Sequence, residues 1–171
     1  MFDPKTLAGR SILVTGGGSG LGLAMAKTFA AHGAQVTIAG RRREKLEAAA
    51  VEIAAAAREG GEAAFLDADI RDPEAAQKLV AFAVSRFGKL DGLVNNAAGN
   101  FLAFSEELTP NGFDAVVRTV LYGSVNCTLA VGRHLLERKA PGAIVSIATT
   151  LPGPAPPSRC PPRARRPACS P

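Results

Sequence analysis

The densest chemical signal in this sequence is the run Thr15-Gly16-Gly17-Gly18-Ser19-Gly20-Leu21-Gly22. It sits between an apolar strand-like segment and a segment of helical composition. Glycines let a backbone turn tightly and approach a diphosphate, and the N-terminus of the following helix offers free N–H groups to it. The spacing Gly16-x3-Gly20-x-Gly22 is not G-x-G-x-x-G, and no Walker lysine follows. A glycine-rich turn without a ligand is the bland alternative. A second feature, the cationic Gly40-Arg41-Arg42-Arg43, follows the next strand-like segment and contains no acid. Arg41 and Arg42 can pair with a phosphate through charge-assisted bonds, or can simply begin a solvated basic helix. Arginine at a helix N-terminus opposes the helix dipole, so an anion there would relieve a local conflict. Metal chemistry finds no support: His32, His134, Cys127, Cys160 and Cys169 show no ligand spacing.

These residues need a scaffold, and the first 150 residues alternate strand-like and helix-like segments. Ser11 to Thr15, Gln35 to Ala39, Ala63 to Asp67, Leu90 to Asn95 and Gly142 to Ile147 are short apolar runs that predict buried strands. Helices are expected over Leu21 to His32, with Gly33 as the residue that stops it, and over Arg43 to Glu59, stopping at Gly60-Gly61. Asp72-Pro73 opens a third helix that ends near Gly88, and Thr109-Pro110 opens a long fourth one, to about Arg138. The alternation implies an α/β fold, a parallel sheet covered by helices on both faces in three layers.

The chain holds 171 residues, enough for one domain with a sizeable core, and 47% of them are hydrophobic. No apolar run reaches the ~18 residues of a membrane span, and Met1 to Lys5 show no signal-peptide pattern, so no membrane partner is expected. The net charge of +5 suggests an anionic partner such as nucleic acid. That charge is uneven. Residues 1–150 carry 16 Lys+Arg against 15 Asp+Glu, whereas residues 151–171 carry four arginines, no acid and eight of the 12 prolines. From Pro152 to Pro171 only Pro, Gly, Ala, Ser, Arg and Cys occur, so 151–171 is expected to be a disordered Pro/Arg-rich tail. The folded part shows no basic face interleaved with aromatics, so nucleic acid is not expected as a partner. Its sparse cysteine suits the cytoplasm.

Thr15-Gly-x3-Gly20-x-Gly22 resembles the cofactor motif of the short-chain dehydrogenases/reductases. Asn95-Asn96-Ala97-Ala98-Gly99 is similar to that family's NNAG motif, and Asp69-Ile70 resembles its adenine-contacting acidic pair. The resemblance covers residues 7–150 and implies a Rossmann-type, doubly wound sheet, incomplete after its fifth strand. It implies a dinucleotide held by Gly16, Gly18, Ser19, Gly20, Leu21, Gly22, Asp69, Ile70, Asn96, Ala97, Ala98 and Gly99. With arginines in place of an acid after the second strand, NADP(H) is expected, with Arg41 and Arg42 on the 2′-phosphate.

Asn95 to Phe101, together with Thr109-Pro110-Asn111 and the segment Thr119 to Leu129, resembles the 2,4-dienoyl-CoA reductase branch. Most of the family carries an Asn three residues before Gly123, where this chain has Val120, as the dienoyl-CoA reductases also have an exception there. The branch implies hydride transfer from NADPH to a conjugated acyl-CoA, a related acyl thioester being the alternative. Asn100 and Phe101 would face the acyl chain, although Phe101 and Phe104 also suit a core. The family's catalytic Ser falls on Thr149, beside Thr150; both also read as plain strand-end residues. The branch's Tyr position holds Leu151, no Lys follows Lys139, and the only tyrosine is Tyr122. A chain without those groups is expected to be inactive. The family's homo-oligomer helices are likewise expected to be missing. The tail reads as a shifted reading frame, as a splice or truncation product that binds nucleotide without catalysis, or as an interaction tail. The non-enzymatic alternative is a nucleotide-binding or tail-mediated interaction protein.

Overall fold

The computed structural model describes residues 3–99 and 105–148. Five strands form one parallel sheet, β1 (Ser11–Thr15), β2 (Gln35–Gly40), β3 (Glu62–Asp67), β4 (Gly92–Asn95) and β5 (Ala143–Ser146), in the order β3-β2-β1-β4-β5. The order reverses direction beside β1, so a crevice opens at the carboxyl ends of β1 and β4, where doubly wound sheets bind ligands. The helices are α1 (Gly20–Ala31), α2 (Arg43–Ala56), α3 (Pro73–Phe87), α4 (Pro110–Val117) and α5 (Gly123–Arg138).

Strand residues alternate between two apolar cores, as the pleat requires. Val14, Val36, Ile38 and Val94 pack with Ala26 and Ala30 of α1 and Leu46, Ala49 and Ile53 of α2. Leu13, Ala39 and Leu93 face the other way, against Leu79 and Ala83 of α3 and Cys127 and Val131 of α5. Burial pushes the Cys127 thiol up to about 12, so it stays protonated and serves as packing. The three-layer expectation holds among the described residues.

Local punctuation decides where helices begin. The Asp72 carboxylate accepts from the Glu74 N–H at 2.9 Å with Pro73 at the first turn, and α3 ends at Gly88 with φ 76°. The Thr109 hydroxyl accepts from the Gly112 N–H at 3.1 Å and opens α4.

Two expectations need correction. Helix α2 stops at Ala56 rather than Glu59. There Arg58 donates its N–H to the Ala30 carbonyl at 3.1 Å, and this contact with the end of α1 overrides local helix preference. β4 begins at Gly92 rather than Leu90. The Asp91 carboxylate, nearly buried, accepts from the Ser11 N–H at 3.0 Å and from Arg138 at 2.7 Å, while Arg138 also donates to the Leu90 carbonyl. The long helix Pro110–Arg138 has 29 residues, and one 18-residue window of it averages a hydropathy of 1.2, although charged residues such as Asp114 and Arg118 break any longer apolar run. Its Cys127, Ala130 and Val131 pack into the core with α3.

The long helix is also not uniform, because Arg118–Tyr122 forms a π-helical turn between α4 and α5. Such turns widen a helix and re-aim its side chains.

Candidate nucleotide-binding site

A cleft of about 640 Å³ lies at the carboxyl ends of β1, β2, β3 and β4. It gathers Gly16, Gly18, Ser19, Arg41, Arg42, Ile70, Asn96, Ala97 and Ala98 from the residues singled out in the sequence. Lys45, Ala68 and Thr119 line it as well.

The glycine loop is built for close approach. Gly16 has φ 67°, and a Cβ there would stand 2.9 Å from the Ala97 Cα. Gly22, in the first turn of α1, has no room either: its Cβ would meet the Gly16 carbonyl oxygen at 2.4 Å and the Asn96 amide nitrogen at 2.6 Å. Side chains at these positions would push the loop away from the start of α1 and from the segment after β4. Ser19 lines the cleft and caps α1 without a side-chain hydrogen bond, so the first backbone N–H groups of the helix are not spent on a side-chain cap. Gly20 has φ 56°, and Leu21 is 70% exposed at this helix start. The glycine pattern fits a diphosphate.

Thr15 and Asn96 hold the loop in place. The buried Thr15 hydroxyl donates to the Val94 carbonyl at 3.3 Å and accepts from the Asn96 and Ala97 N–H groups, both at 3.0 Å. The Asn96 side-chain amide donates to the Thr15 carbonyl at 3.0 Å and to the Gly16 carbonyl at 3.4 Å. Asn96 therefore lines the cleft while its side-chain donor is spent on the loop itself. Gly99 lies beside Thr119, within 3.7 Å of its methyl carbon for an added Cβ.

The cationic rim comes from the connection after β2 and the first turn of α2. Arg41, Arg42 and Lys45 are exposed and line the cleft. Among the described residues, none of the three forms an ion pair, whereas Arg43 is diverted to Glu47 and Asp67, both at 2.9 Å, and lies over Phe65. Lys45 escaped the sequence reading. Its signal was its place in the first turn of α2, three residues after the cap residue Arg42.

Asp69 behaves differently from its neighbours. Ala68 and Ile70 line the cleft, but the Asp69 carboxylate is held by the Arg71 side chain at 2.9 Å. The Arg71 hydrogen bonds hold it below the usual carboxylate range despite partial burial. Asn100, Phe101 and Thr149, with the tail, lie outside the described residues. Tyr122 is 55% exposed in the π-turn and does not line the cleft.

A parallel α/β sheet with a glycine-lined cleft at its switch point defines a dinucleotide-binding fold of the dehydrogenase type. The chain belongs to the short-chain dehydrogenase family, whose model matches residues 10–155. It is 40% identical over 158 residues to the peroxisomal 2,4-dienoyl-CoA reductase of Arabidopsis thaliana, covering 88% of this chain and 52% of that one. A Bacillus subtilis protein described as a probable 2,4-dienoyl-CoA reductase is 43% identical over 141 residues, or 82% of this chain and 54% of that one. The chain thus spans about half the length of the curated relatives it matches. A short-chain dehydrogenase from Bacillus anthracis superposes with a TM-score of 0.75 at 38% identity, over 81% of this chain and 56% of that one. The citronellol catabolism dehydrogenase of Pseudomonas aeruginosa gives the same TM-score and identity over 85% and 58%. Membership of the family implies a nicotinamide dinucleotide as cofactor.

Proposed function

We propose that this chain is the NADP(H)-binding portion of a reductase acting on 2,4-dienoyl-CoA or a related acyl thioester. The observation that carries the cofactor reading is the rim of Arg41, Arg42 and Lys45, cationic and without an ion pair among the described residues. A 2′-phosphate supplies the charge that this rim lacks, and bidentate arginine contacts suit its geometry. The glycine loop and the start of α1 take the diphosphate. Bound NADPH supplies the hydride. The chain's own residues bind and orient: Thr15 and Asn96 fix the loop, and Ala68 and Ile70 form an apolar wall. The similarity to the Arabidopsis thaliana and Bacillus subtilis proteins supports the thioester substrate.

On this reading the 171-residue chain binds nucleotide and does not turn over, because the sequence offers no Tyr or Lys at the positions the branch uses. The low cysteine content of residues 1–150 supports a cytoplasmic setting. Calorimetric titration tests the cofactor: NADPH is expected to bind at least about tenfold more tightly than NADH, one charge-assisted contact being worth about 1.5–3 kcal/mol. Equal affinities overturn the NADP(H) reading. Oxidation of NADPH by the chain in the presence of a 2,4-dienoyl-CoA overturns its inactivity.

A further inference from the structure

One wall of the cleft is held from behind by a helix that only skirts the cleft. Ile70, 6% exposed, lines the cleft at the turn between β3 and α3. The side-chain amide of Asn126, in the second turn of α5, donates to two consecutive carbonyls of that turn, Ile70 at 3.0 Å and Arg71 at 3.2 Å. Gly123, one turn earlier on the same helix, lies against the Ile70 side chain. A Cβ on Gly123 would come within 2.6 Å of the Ile70 Cδ1. Ile70 also shares its core cluster with Cys127 of α5. Three neighbouring residues of α5 thus bear on Ile70, one by hydrogen bonds and two by packing.

The β3–α3 turn is otherwise braced from within and, at its start, by the Ala68 N–H donating to the Gly40 carbonyl of β2 at 2.8 Å. Asp72 donates its N–H to the Asp69 carbonyl at 3.0 Å, and the Arg71 N–H reaches the Asp69 carboxylate at 3.1 Å. The two bonds to Asp69 set the shape of the turn but not its place relative to the cleft. Asn126 supplies a tether to a second element. The π-turn just before Gly123 puts Thr119 into the same cleft. A single helical shoulder therefore contributes one lining residue directly and places another.

We propose that Asn126 is a positioning residue for nucleotide binding: its amide, with Gly123 as the notch that admits the isoleucine, sets where Ile70 stands against the base of the bound nucleotide. This deepens the nucleotide-binding reading and rests on it. Neither Asn126 nor Gly123 lines the cleft, so both act through Ile70. A planar base packed on an aliphatic wall gains dispersion only at van der Waals distance, and a gap below 1 Å forfeits a quarter to a half of it.

The test uses the full chain, with 2′,5′-ADP as probe of the base-bearing half and NADPH as the whole dinucleotide. Asn126→Ala removes the tether. Asn126→Asp keeps the shape but turns an acceptor toward two carbonyls. Each is expected to weaken 2′,5′-ADP and NADPH alike by about fivefold or more, the worth of a lost pair of neutral hydrogen bonds. Asp91→Asn, at the opposite end of the sheet, is the control for loss of stability and is expected to leave both affinities unchanged. In nucleotide-free protein, amide exchange at Arg71 and Asp72 is expected to quicken in both Asn126 variants and not in the control. Wild-type affinity in the Asn126 variants, or unchanged exchange at the turn, overturns the proposal while the nucleotide reading stands. Failure of the unaltered chain to bind either probe overturns the nucleotide reading, and this proposal with it.

Discussion

Replacing Thr15 by Val is the sharpest test of how the cleft is held. The two side chains have nearly the same volume, so the change removes hydrogen bonds and adds little strain. Thr15 is fully buried, and its hydroxyl makes one donated and two accepted bonds, joining the end of β1 to Val94, Asn96 and Ala97. All three partners lose a bond at once, and water reaches them poorly. An unsatisfied buried polar group costs about 1–3 kcal/mol; with the Asn96 and Ala97 sites only partly buried, the sum is about 2–4 kcal/mol. In a domain of this size that lowers the melting midpoint by about 6–12 °C. Thr15→Ser keeps the hydroxyl and is expected to lose about 1 kcal/mol, the worth of one buried methyl group. Urea or thermal unfolding of the three proteins measures the differences. A Thr15→Val protein as stable as Thr15→Ser would refute the role given to the hydroxyl.

Asp91→Asn is expected to cost about 2 kcal/mol, because Arg138 and Lys89 lose their charged partner. Burial alone would raise the Asp91 pKa, but Arg138, the Ser11 N–H and Lys89 outweigh it and hold the group below the usual carboxylate range. A depressed folded-state pKa gives stability that is present above the unfolded value and lost as pH falls through the folded one. Unfolding midpoints of wild type and Asp91→Asn should therefore converge below about pH 4, and parallel profiles would contradict this. Arg42→Glu is expected to weaken NADPH at least about tenfold while leaving NADH within about threefold, measured by titration. Gly22→Ala forces the loop and α1 apart, since its Cβ would meet a carbonyl oxygen at 2.4 Å. It should abolish measurable NADPH binding, and wild-type affinity would show that the loop yields.

How much of this was legible in the sequence differs between elements. Ser11–Thr15 could be bounded to the residue because a short apolar run, four of its five residues buried, stops at glycine. Asp72-Pro73 and Thr109-Pro110 announced α3 and α4 because capping is a local matter of one side chain and one fixed φ. The early end of α2 was not legible, since it depends on Arg58 meeting a carbonyl of α1 from 28 residues away. The π-turn at Arg118–Tyr122 and the tether from Asn126 to Ile70 were hidden for the same reason: both depend on how α5 lies across the sheet. At the site, the glycine loop and Arg41 and Arg42 carried a local pattern. Thr15 looked like one more β-branched strand residue, although its hydroxyl organises the loop.

The site divides along the chain in a way that bears on function. Every described residue that lines the cleft lies between Gly16 and Thr119, at the end of β2, on segments that follow β1, β2, β3 and β4, at the start of α2 or on the π-turn. The strands β1, β2 and β4 each have a partner on both sides, and the cores on both faces of the sheet are filled around them. β5 is different: it pairs only with β4 among the described residues, and Ile144 and Val145 remain 38% and 51% exposed. On α5, Val125, Leu129 and Leu136 are exposed as well. A sheet strand of such apolar composition gains its stability from burial, so β5 is the weakly held strand of the sheet. On the proposed reading nucleotide recognition rests on the well-packed strands, and binding and turnover are separable: titration with NADPH reads the first, and NADPH oxidation with a 2,4-dienoyl-CoA reads the second.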